Sequence, residues 1–424
     1  DIDFNIRCGN TLVGYATQKE LEAGIAYSDF FTAEEFRNKV TEEMEKVSMT
    51  YDVFKTVQLT QAEDMAAFKR AKHDLKMRLA TLNDLLNRQM YGSVSSTVDY
   101  DAWLCSHQPF HWLAEFYEII NDHGGFDVII GNPPYVVYSE RNFEYNVIGY
   151  KTRECANLYA FCIERSYTIL NSYCRFGMIV PNSSISADKM MPVQKEITEK
   201  KCCWISNYAW RPSKLFEGAN MLLAIILNSR SQKTTVQTTI YHRWNNEYRQ
   251  FLFRCVSYTD VTDVMTKGSI PKIPSEIAIS IIKRMREVSK NLLMSNSALL
   301  SPSNNYLYYF RAVLYWFKIL DRKPILIEDG VETATGEMKP LYFTSQKQRD
   351  VFISLLSSST YFLHYIIWSS CQVVNSRDFN MYFDYSAMHQ DMQSLLSQKG
   401  VLLQEDYQKN SVVKTRNYSK RGRS

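Results

Sequence analysis

The stretch GGFDVIIGNPPYVVY, residues 124–138, decides the fold class of this chain. Its apolar run VII at 128–130 predicts a strand that is buried on both faces, as in a parallel sheet covered by helices. The strand ends soon after this run, because Pro133 and Pro134 have no N–H group for a neighbouring strand and restrict the residues before them. The stretch therefore predicts a rigid turn at the carboxyl end of a buried strand.

The turn carries an amide side chain and an aromatic ring. Ligands of open α/β sheets bind just outside the carboxyl ends of the strands. There the Asn132 side-chain oxygen and the Pro133 carbonyl offer two fixed hydrogen-bond acceptors, and Tyr135 offers a flat face. This combination suits a planar group that bears an NH2. The alternative is a strand-ending turn without chemistry, since Asn-Pro and Pro-Pro are common in loops.

Length and composition indicate a globular chain of two or three domains. The 424 residues are 45% apolar and 22% charged, values that exclude wholesale disorder. The longest apolar run, MLLAIIL at 221–227, is too short to cross a bilayer, and we expect no membrane partner. The net charge of +4 permits a polyanionic partner, and the end of the chain, KTRNYSKRGRS at 414–424, is locally basic.

The nine cysteines form no Cys-x-x-Cys pair and are scattered through apolar stretches. This distribution is typical of reduced cytosolic proteins, so we expect a cytoplasmic location. Cys105, His107 and His111 lie close together in the sequence, with His123 further on. Their spacing matches no recognised ligand pattern, and we therefore predict no metal site.

Helices and strands alternate along the first half of the chain, which favours an α/β sheet. The segment 5–14 is typical of a short strand that ends at Gly9-Asn10. Beyond it, apolar residues recur at three- and four-residue spacing, which predicts helices. The predicted helices are 33–47, 63–90, 109–120 and 157–170, and the predicted strands are 127–130, 176–181 and 221–227.

The pattern changes from about residue 235 onwards. The segment TTIYHRWNNEYRQFLF, 238–253, predicts a β-hairpin that turns at Asn245-Asn246. The region 301–424 is rich in Tyr, Phe and Trp, and the chain has no internal repeat and no low-complexity tract. These changes indicate that a second kind of structure follows the α/β sheet.

Taken in order, these segments resemble one family, the adenine-specific (Asn-Pro-Pro-Tyr) DNA methyltransferase module of type IIG restriction–modification enzymes. The resemblance covers about 1–235 well and 301–424 more loosely. Its strongest element is the Asn-Pro-Pro-Tyr turn in its full context. The segments that carry it are FDVIIGNPPYV (126–136), NLYAFCIERSYTIL (157–170), GMIVPNSSIS (177–186), KLFEGANMLLAIIL (214–227), DFNIRCGNTLVG (3–14) and PFHW (109–112).

The resemblance implies the fold and the domain organisation. The expected fold class is α/β: a partial S-adenosylmethionine-dependent methyltransferase (Rossmann-like) sheet with a long helical insertion at about 31–122, followed by a mixed α+β DNA-recognition region. The implied domains are a catalytic domain at 1–235, a connecting region with the β-hairpin at 236–300, and a target-recognition region at 301–424.

The resemblance also implies the reaction and the site residues. The complete enzyme would act in a prokaryotic cytoplasm and transfer a methyl group from S-adenosylmethionine to the N6 amine of a flipped adenine in double-stranded DNA. The implied catalytic residues are Asn132, Pro133, Pro134 and Tyr135, and Phe216 packs with Tyr135 on the two faces of the flipped base. Asn10 contacts the adenine ring of the cofactor; many relatives carry Asp at that place.

Part of the cofactor site has no counterpart in this sequence. The family's glycine-containing turn and the acidic residue on the ribose lie upstream of the segment that matches 5–14, and the chain itself begins with Asp rather than Met. We therefore expect an incomplete pocket that binds the cofactor weakly, an exposed sheet edge, and a missing N-terminal part of the same protein as partner. We also expect that the region 301–424 is truncated.

Two alternatives to the complete DNA methyltransferase stay open. The fragment is an inactive DNA-binding scaffold if it lacks its cofactor pocket. It is a protein-glutamine methyltransferase if the turn serves a planar amide nitrogen of a protein instead of an adenine. The long helical insertion and the aromatic C-terminal region argue against the second alternative, because methyltransferases of small substrates need neither.

Overall fold

The computed structural model describes residues 4–25, 30–60, 64–93, 98–289, 291, 302–313, 316–328, 331–333 and 336–412. The chain divides into two compact units, Asp1–Ile270 and Pro271–Ser424. The basic segment 414–424 lies outside the described residues. The three predicted domains stay a prediction.

The first unit is built on a six-stranded mixed sheet. Strand β1 pairs in parallel with β2, and β3 pairs in parallel with β5. Strand β4 lies between β2 and β3 and runs antiparallel to both, so the sheet order is β1-β2-β4-β3-β5-β6. The predicted α/β class with parallel pairing is thereby confirmed. The strands are β1 Phe126–Gly131, β2 Leu170–Pro181, β3 Lys201–Tyr208, β4 Leu223–Arg230, β5 Thr235–His242 and β6 Thr259–Asp260.

Strand β1 is the edge of this sheet, and the prediction that it is buried on both faces is wrong. The side chain of Ile130 is 82% exposed and that of Val128 is 53% exposed. The physical reason is the sheet order, which gives β1 only β2 as a neighbour. The next strand shows the contrast, because Phe176, Met178 and Val180 of β2 are buried.

In the described part of this unit, eight α-helices surround or precede the sheet. The longest two, α2 and α3, pack against each other through apolar residues at three- and four-residue spacing, as the sequence pattern predicts. The helices are α1 Gln18–Ile25, α2 Phe30–Thr60, α3 Met65–Ser93, α4 Tyr100–His107, α5 Trp112–Glu115, α6 Leu158–Ile169, α7 Ser183–Ser186 and α8 Met191–Thr198. Shorter turns are a π-turn at Glu118–Asp122 and 3₁₀ turns at Arg153–Cys155 and Asp188–Met190.

Three local predictions differ from the structure. The segment 5–14 forms no strand; its one ladder contact is an isolated bridge from Asn10 to Pro109. The single helix expected at 109–120 is α5 followed by the π-turn. The hairpin at Asn245-Asn246 is wrong, because β3 and β6 already occupy the two sides of β5 and the chain continues as a 3₁₀ helix at Asn246–Cys255.

The second unit is a mixed α+β fold with an aromatic core. One sheet has the order β11-β7-β8, and β9 pairs with β10 in a separate ribbon. Its elements are α9 Glu276–Val288, β7 Asn305–Phe310, β8 Ile319–Leu320, β9 Leu326–Glu328, β10 Val331–Thr333, β11 Met338–Phe343, α10 Gln346–Leu356, α11 Ser359–Trp368, a 3₁₀ turn Ser376–Phe379 and α12 Gln390–Asn410. Much of the region's aromatic content fills this core, with Phe317, Tyr361 and Phe379 in edge or stacked contacts.

Among the described residues no single helix has the length and apolar character that a membrane span needs, although α10 and α11, which meet at an angle of 66°, meet that criterion as a pair.

Candidate active site at the carboxyl edge of the sheet

The turn after β1 is held rigidly and presents its amide outward. Asn132 is exposed, Pro133 is buried and Tyr135 is half-buried. The chain that follows is tied to the start of α6, because the Leu158 N–H donates to the Val136 carbonyl at 3.0 Å. The structure therefore places the Asn-Pro-Pro-Tyr residues at the carboxyl end of β1, where the strand-end rule puts a ligand.

The hydroxyl of Tyr135 links the turn to the neighbouring strand. It lies 2.9 Å from Oδ1 of Asn132 and 2.9 Å from the carbonyl oxygen of Ile179 in β2. A phenol has one hydrogen and donates to one of these oxygens at a time. Burial raises the pKa of Tyr135 to about 12, so the donor is retained at neutral pH. Because an amide oxygen has two lone pairs, Asn132 can accept a second hydrogen bond from a ligand.

The structure brings Tyr135 and Phe216 to one apolar cluster. Both side chains are half-buried and pack against it. The cluster lies where β3 ends and β4 begins, which is the same carboxyl edge of the sheet that carries the turn. Its buried members are Tyr208, Leu215, Ala219, Leu223, Trp244 and Leu252.

A buried pair of asparagines joins the strands beneath this edge. Nδ2 of Asn182 donates to Oδ1 of Asn207 at 2.8 Å, and Nδ2 of Asn207 donates to the Thr239 carbonyl at 3.1 Å. Asn182 and Asn207 are almost completely buried. Sequence reasoning did not single them out, although a polar residue directly after the apolar strand β2, and another inside β3, were available as signals. The pair fixes the ends of β2, β3 and β5 relative to one another.

Asn10 lies in a segment that is clamped to residues 108–110. Its N–H donates to the Gln108 carbonyl at 2.8 Å, and its Oδ1 accepts from the Leu12 N–H at 3.2 Å. Gly14 permits the close approach, because its φ is +130° and a Cβ there would lie 2.2 Å from the Phe110 carbonyl oxygen. Within the described part of the chain no hydrogen bond joins the side chain of Asn10 to the Asn132 turn.

An ion pair between a buried guanidinium and a partly exposed carboxylate anchors this segment to α6. Nη1 of Arg165 lies 2.8 Å from each carboxylate oxygen of Glu20, and Nε donates to the Tyr150 hydroxyl at 2.8 Å. The Arg165 side chain is 7% exposed. Tyr150 in turn donates to the Leu12 carbonyl at 3.0 Å. The pair therefore connects α1, α6 and the segment that carries Asn10.

His111 serves this buried structure and is not a ligand candidate. Nδ1 accepts from the Tyr15 N–H at 3.0 Å, so Nε2 carries the hydrogen and donates to Oδ1 of Asn87 at 2.9 Å. Burial, with a smaller effect of the nearby Arg165 charge, lowers the pKa of His111 to about 3. In the described ranges, His, Cys, Asp and Glu side chains form no group of three that could hold a metal ion.

The second unit presents tyrosines and lysines on one face of its sheet. Tyr306 and Tyr342 are cross-strand partners, and Tyr308 lies two residues along the same face. Nζ of Lys323 lies 5.6 Å from the centre of the Tyr308 ring. Lys318 stands in the same relation to Phe310, at 5.1 Å. Cations over aromatic rings give this face both stacking surfaces and positive charge.

The comparison with protein families finds a match within the first unit. Residues 34–214 match the family described as Eco57I restriction-modification methylase. The match covers 181 of the 424 residues, and it shows that this segment is similar to the methylases of that family. The matched residues include the Asn132 turn, most of α2, all of α3, and the Asn182–Asn207 pair. Asn10 lies 24 residues before the matched range and Phe216 lies two residues after it, so their roles stay predictions.

A curated relative agrees with this assignment. The chain is 23% identical over 337 residues to RM.MjaORFECS2P of Methanocaldococcus jannaschii, whose name describes a type II restriction enzyme and methyltransferase. The aligned part is 69% of this chain and 28% of the relative. The chain thus spans less than a third of the length of this relative.

Solved restriction–modification enzymes show a weaker structural likeness. The type IIL enzyme MmeI in complex with DNA aligns at 10% identity and a TM-score of 0.39, over 86% of this chain and 69% of that one. The DrdV–DNA complex aligns at 12% identity and a TM-score of 0.35, over 77% and 50%. These scores are too low to argue a shared fold, so the assignment depends on the family match.

Proposed function

We propose that this chain is the methyltransferase part of a type IIG restriction–modification protein, which transfers a methyl group from S-adenosylmethionine to the N6 amine of adenine in double-stranded DNA. The observation that carries the proposal is the unused hydrogen-bonding capacity of Asn132 beside two aromatic rings on one cluster. This arrangement lies in the segment that matches the methylase family or directly beside it. The cytoplasm of a prokaryotic cell is the proposed location.

The two acceptors of the turn address the chemical difficulty of the reaction. The N6 amine of adenine is a poor nucleophile, because its lone pair is delocalised into the ring. Oδ1 of Asn132 and the carbonyl oxygen of Pro133 each accept one N–H of the amine. Two such bonds favour a tetrahedral nitrogen whose lone pair is free for the methyl group. The contribution is positioning and electrostatic stabilisation, without a covalent enzyme intermediate.

The aromatic side chains provide stacking surfaces for an adenine that has left the DNA duplex. An adenine inside a duplex does not reach a strand-end site and has to leave the base stack. Tyr135 and Phe216 provide two ring surfaces against the same buried cluster. Stacking between them offsets part of the cost of unstacking. Before the base binds, the Tyr135 hydroxyl can donate a hydrogen bond to Oδ1 of Asn132 and so orient the amide.

The described residues fit only part of S-adenosylmethionine. The amide of Asn10 suits the adenine ring, and the Asn132 turn suits the methyl end, while the ribose and the amino-acid tail have no assigned group in this chain. The cofactor supplies the activated methyl group when it is bound.

DNA recognition is proposed for the second unit. The sheet face with Tyr306, Tyr308 and Tyr342 offers ring surfaces, and Lys318 and Lys323 offer charge for phosphates. Contacts of this kind make DNA affinity fall with salt concentration. The basic segment 414–424 is proposed as a further phosphate contact, and deletion of 411–424 should flatten the salt dependence.

Incubation of the protein that carries this chain with DNA and S-adenosylmethionine tests the proposal. Digestion of the DNA to nucleosides and mass spectrometry should reveal N6-methyladenine. Methylated cytosine instead of adenine would contradict the base assignment, and methyl transfer to glutamine residues of added proteins would favour the protein-methyltransferase alternative. The Asn132→Ala variant serves as the inactive control.

A further inference from the structure

The 3₁₀ helix after β5 exposes an unusual row of large side chains. Residues three apart lie above one another in a 3₁₀ helix, so Tyr248, Phe251 and Arg254 share one side. Tyr248 is 58% exposed and Phe251 is 44% exposed. Phe253, on the adjacent side, is 62% exposed. We call Tyr248, Phe251, Phe253 and Arg254 the aromatic patch.

The opposite side of the helix is fixed to the loop that carries Phe216. The guanidinium of Arg249 donates to the Lys214 carbonyl at 2.9 Å and also to the Leu215 carbonyl. Three residues further on, Leu252 is buried in the cluster against which Tyr135 and Phe216 pack. The helix is therefore held in place by its inner side, and the aromatic patch is next to the proposed base site.

Charge around the patch favours a polyanion. Arg243 and Arg254 are exposed, and the exposed Arg211 lies over the Trp210 ring at 4.0 Å. These three arginines belong to the segments 210–217 and 243–254. The acidic side chains of the two segments are Glu217 and Glu247. Exposed rings mixed with arginines suit a partner that offers flat bases and phosphates together. A purely apolar protein partner would offer the arginines neither an opposite charge nor a hydrogen-bond acceptor.

We propose that the aromatic patch binds the DNA that flanks the extruded adenine, with Phe251 and Phe253 against bases exposed by the opened pair and Arg254 on a phosphate. This inference deepens the proposed function, since it takes DNA as the substrate. It adds that this part of the first unit, and not only the second unit, holds the duplex. The patch then recognises the opened state of the DNA and not its sequence.

The test compares two duplexes that differ in one position. One is fully paired, and the other carries a single abasic site that leaves a neighbouring base without a partner. The wild-type protein should bind the abasic duplex more tightly. In the double variant Phe251→Ala/Phe253→Ala this preference should fall about 5- to 150-fold, the range expected for one stacked base. Tyr173→Ala, which removes a ring that is 86% exposed near the amino end of β2, is the matched control.

A second variant separates the arginine from the rings. Arg254→Gln should weaken both duplexes equally and reduce the slope of log affinity against log salt by about 0.9, as expected for one lost phosphate contact. The exposed Arg70 of α3 offers the control Arg70→Gln, which should leave the slope unchanged. Because the replaced side chains are exposed, circular dichroism spectra should match the wild type.

The outcomes distinguish this inference from the proposed function. If the wild type binds DNA and the double variant keeps its preference for the abasic duplex, the aromatic patch is not a DNA contact, and the proposed function stands. If the wild type binds no DNA at all, both fail. If the double variant changes only the mass measured by light scattering, the patch joins two copies of the chain, and the inference is overturned.

Discussion

Two sets of polar side chains in the first unit differ in how much of their hydrogen-bonding capacity the protein itself uses. The turn set consists of Asn132 and Tyr135, and the buried set consists of Arg165, Glu20 and His111. Asn132 is exposed, and the single phenolic hydrogen of Tyr135 lies within reach of two oxygens but donates to one of them at a time. In the buried set each group has its partner: the carboxylate meets the guanidinium, and both nitrogens of His111 are bonded.

The difference teaches how to separate a site from a structural support. A hydrogen-bonding group that is saturated within the protein can hold the fold but offers nothing to a ligand. A group with a spare lone pair at a strand end can accept a bond from outside. The two sets should therefore respond to substitution in opposite ways, the buried set in stability and the turn set in activity.

Removal of the buried guanidinium should have the largest effect on stability. Arg165→Met takes a charged hydrogen-bond partner from the Glu20 carboxylate and from the Tyr150 hydroxyl, and the free energy of unfolding should fall by about 1–3 kcal/mol. Urea denaturation measures it. The exposed Arg70→Met is the control and should stay within about 0.5 kcal/mol of wild type. A loss below 1 kcal/mol in Arg165→Met would erase the contrast between the two sets.

The corresponding change in the turn set should act on rate alone. Asn132→Ala removes a preorganised acceptor, and methyl transfer should fall by roughly 10²–10³. DNA affinity and the urea midpoint should stay at wild-type values, because the side chain is exposed. The control is Asn38→Ala on the exposed side of α2. Wild-type rates in Asn132→Ala would remove the turn from the catalytic assignment.

Two substitutions of Tyr135 distinguish the contribution of its ring from that of its hydroxyl. Tyr135→Ala removes the stacking surface and should weaken capture of the flipped base by about 1–3 kcal/mol. Tyr135→Phe keeps the ring and loses only the bonds to Asn132 and Ile179. A fluorescent base analogue at the target position should report less extrahelical base in the Ala variant and a wild-type signal in the Phe variant. Equal signals in both variants would mean that the ring is structural.

The most gradual expected effect is a pH dependence of the free energy of unfolding, which comes from His111. Its folded pKa of about 3 lies below the unfolded value of about 6.5, so the unfolded chain binds more protons between these values. The contribution of neutral His111 to the free energy of unfolding is fully present above about pH 6.5. It falls as the pH drops, by at most about 1.4 kcal/mol per pH unit.

His111→Gln should flatten this slope, because glutamine does not titrate. Urea denaturation at several pH values between 4 and 7 measures it, roughly the window set by the two pKa values. The exposed Asn38→Gln, which replaces one non-titrating side chain by another, serves as the control and should keep the wild-type slope. An unchanged slope in His111→Gln would mean that other groups dominate the acid response.

Patterns within short segments of the sequence predicted those helices, strands and turns that depend on residues of the same segment. The helices α2, α3 and α6 and the strands β2 and β4 follow from apolar spacing, and the turn at Asn132 follows from its two prolines. The exposure of β1 and the absence of a hairpin at Asn245 follow from the sheet order, which no single segment encodes.

The same division applies to the candidate site. The Asn-Pro-Pro-Tyr turn is visible in the sequence. The bond from Tyr135 to Ile179 and the pairing of Asn182 with Asn207 are not, because each joins residues far apart in the chain. The nearness of Phe216 to the turn's cluster came only from the family resemblance, and its role there stays a prediction.

The position of β4 has a consequence for synthesis on the ribosome. Strand β4 is made after β2 and β3 but lies between them, so neither has its inner neighbour until Arg230 has been added. At about 5–20 residues per second, the roughly 50 residues between the end of β2 and the end of β4 take about 2.5 to 10 seconds. During that interval the inner edge of β2 is open to other nascent chains. Slow codons between β2 and β4 should therefore lower the soluble yield, whereas slow codons after β4 should not.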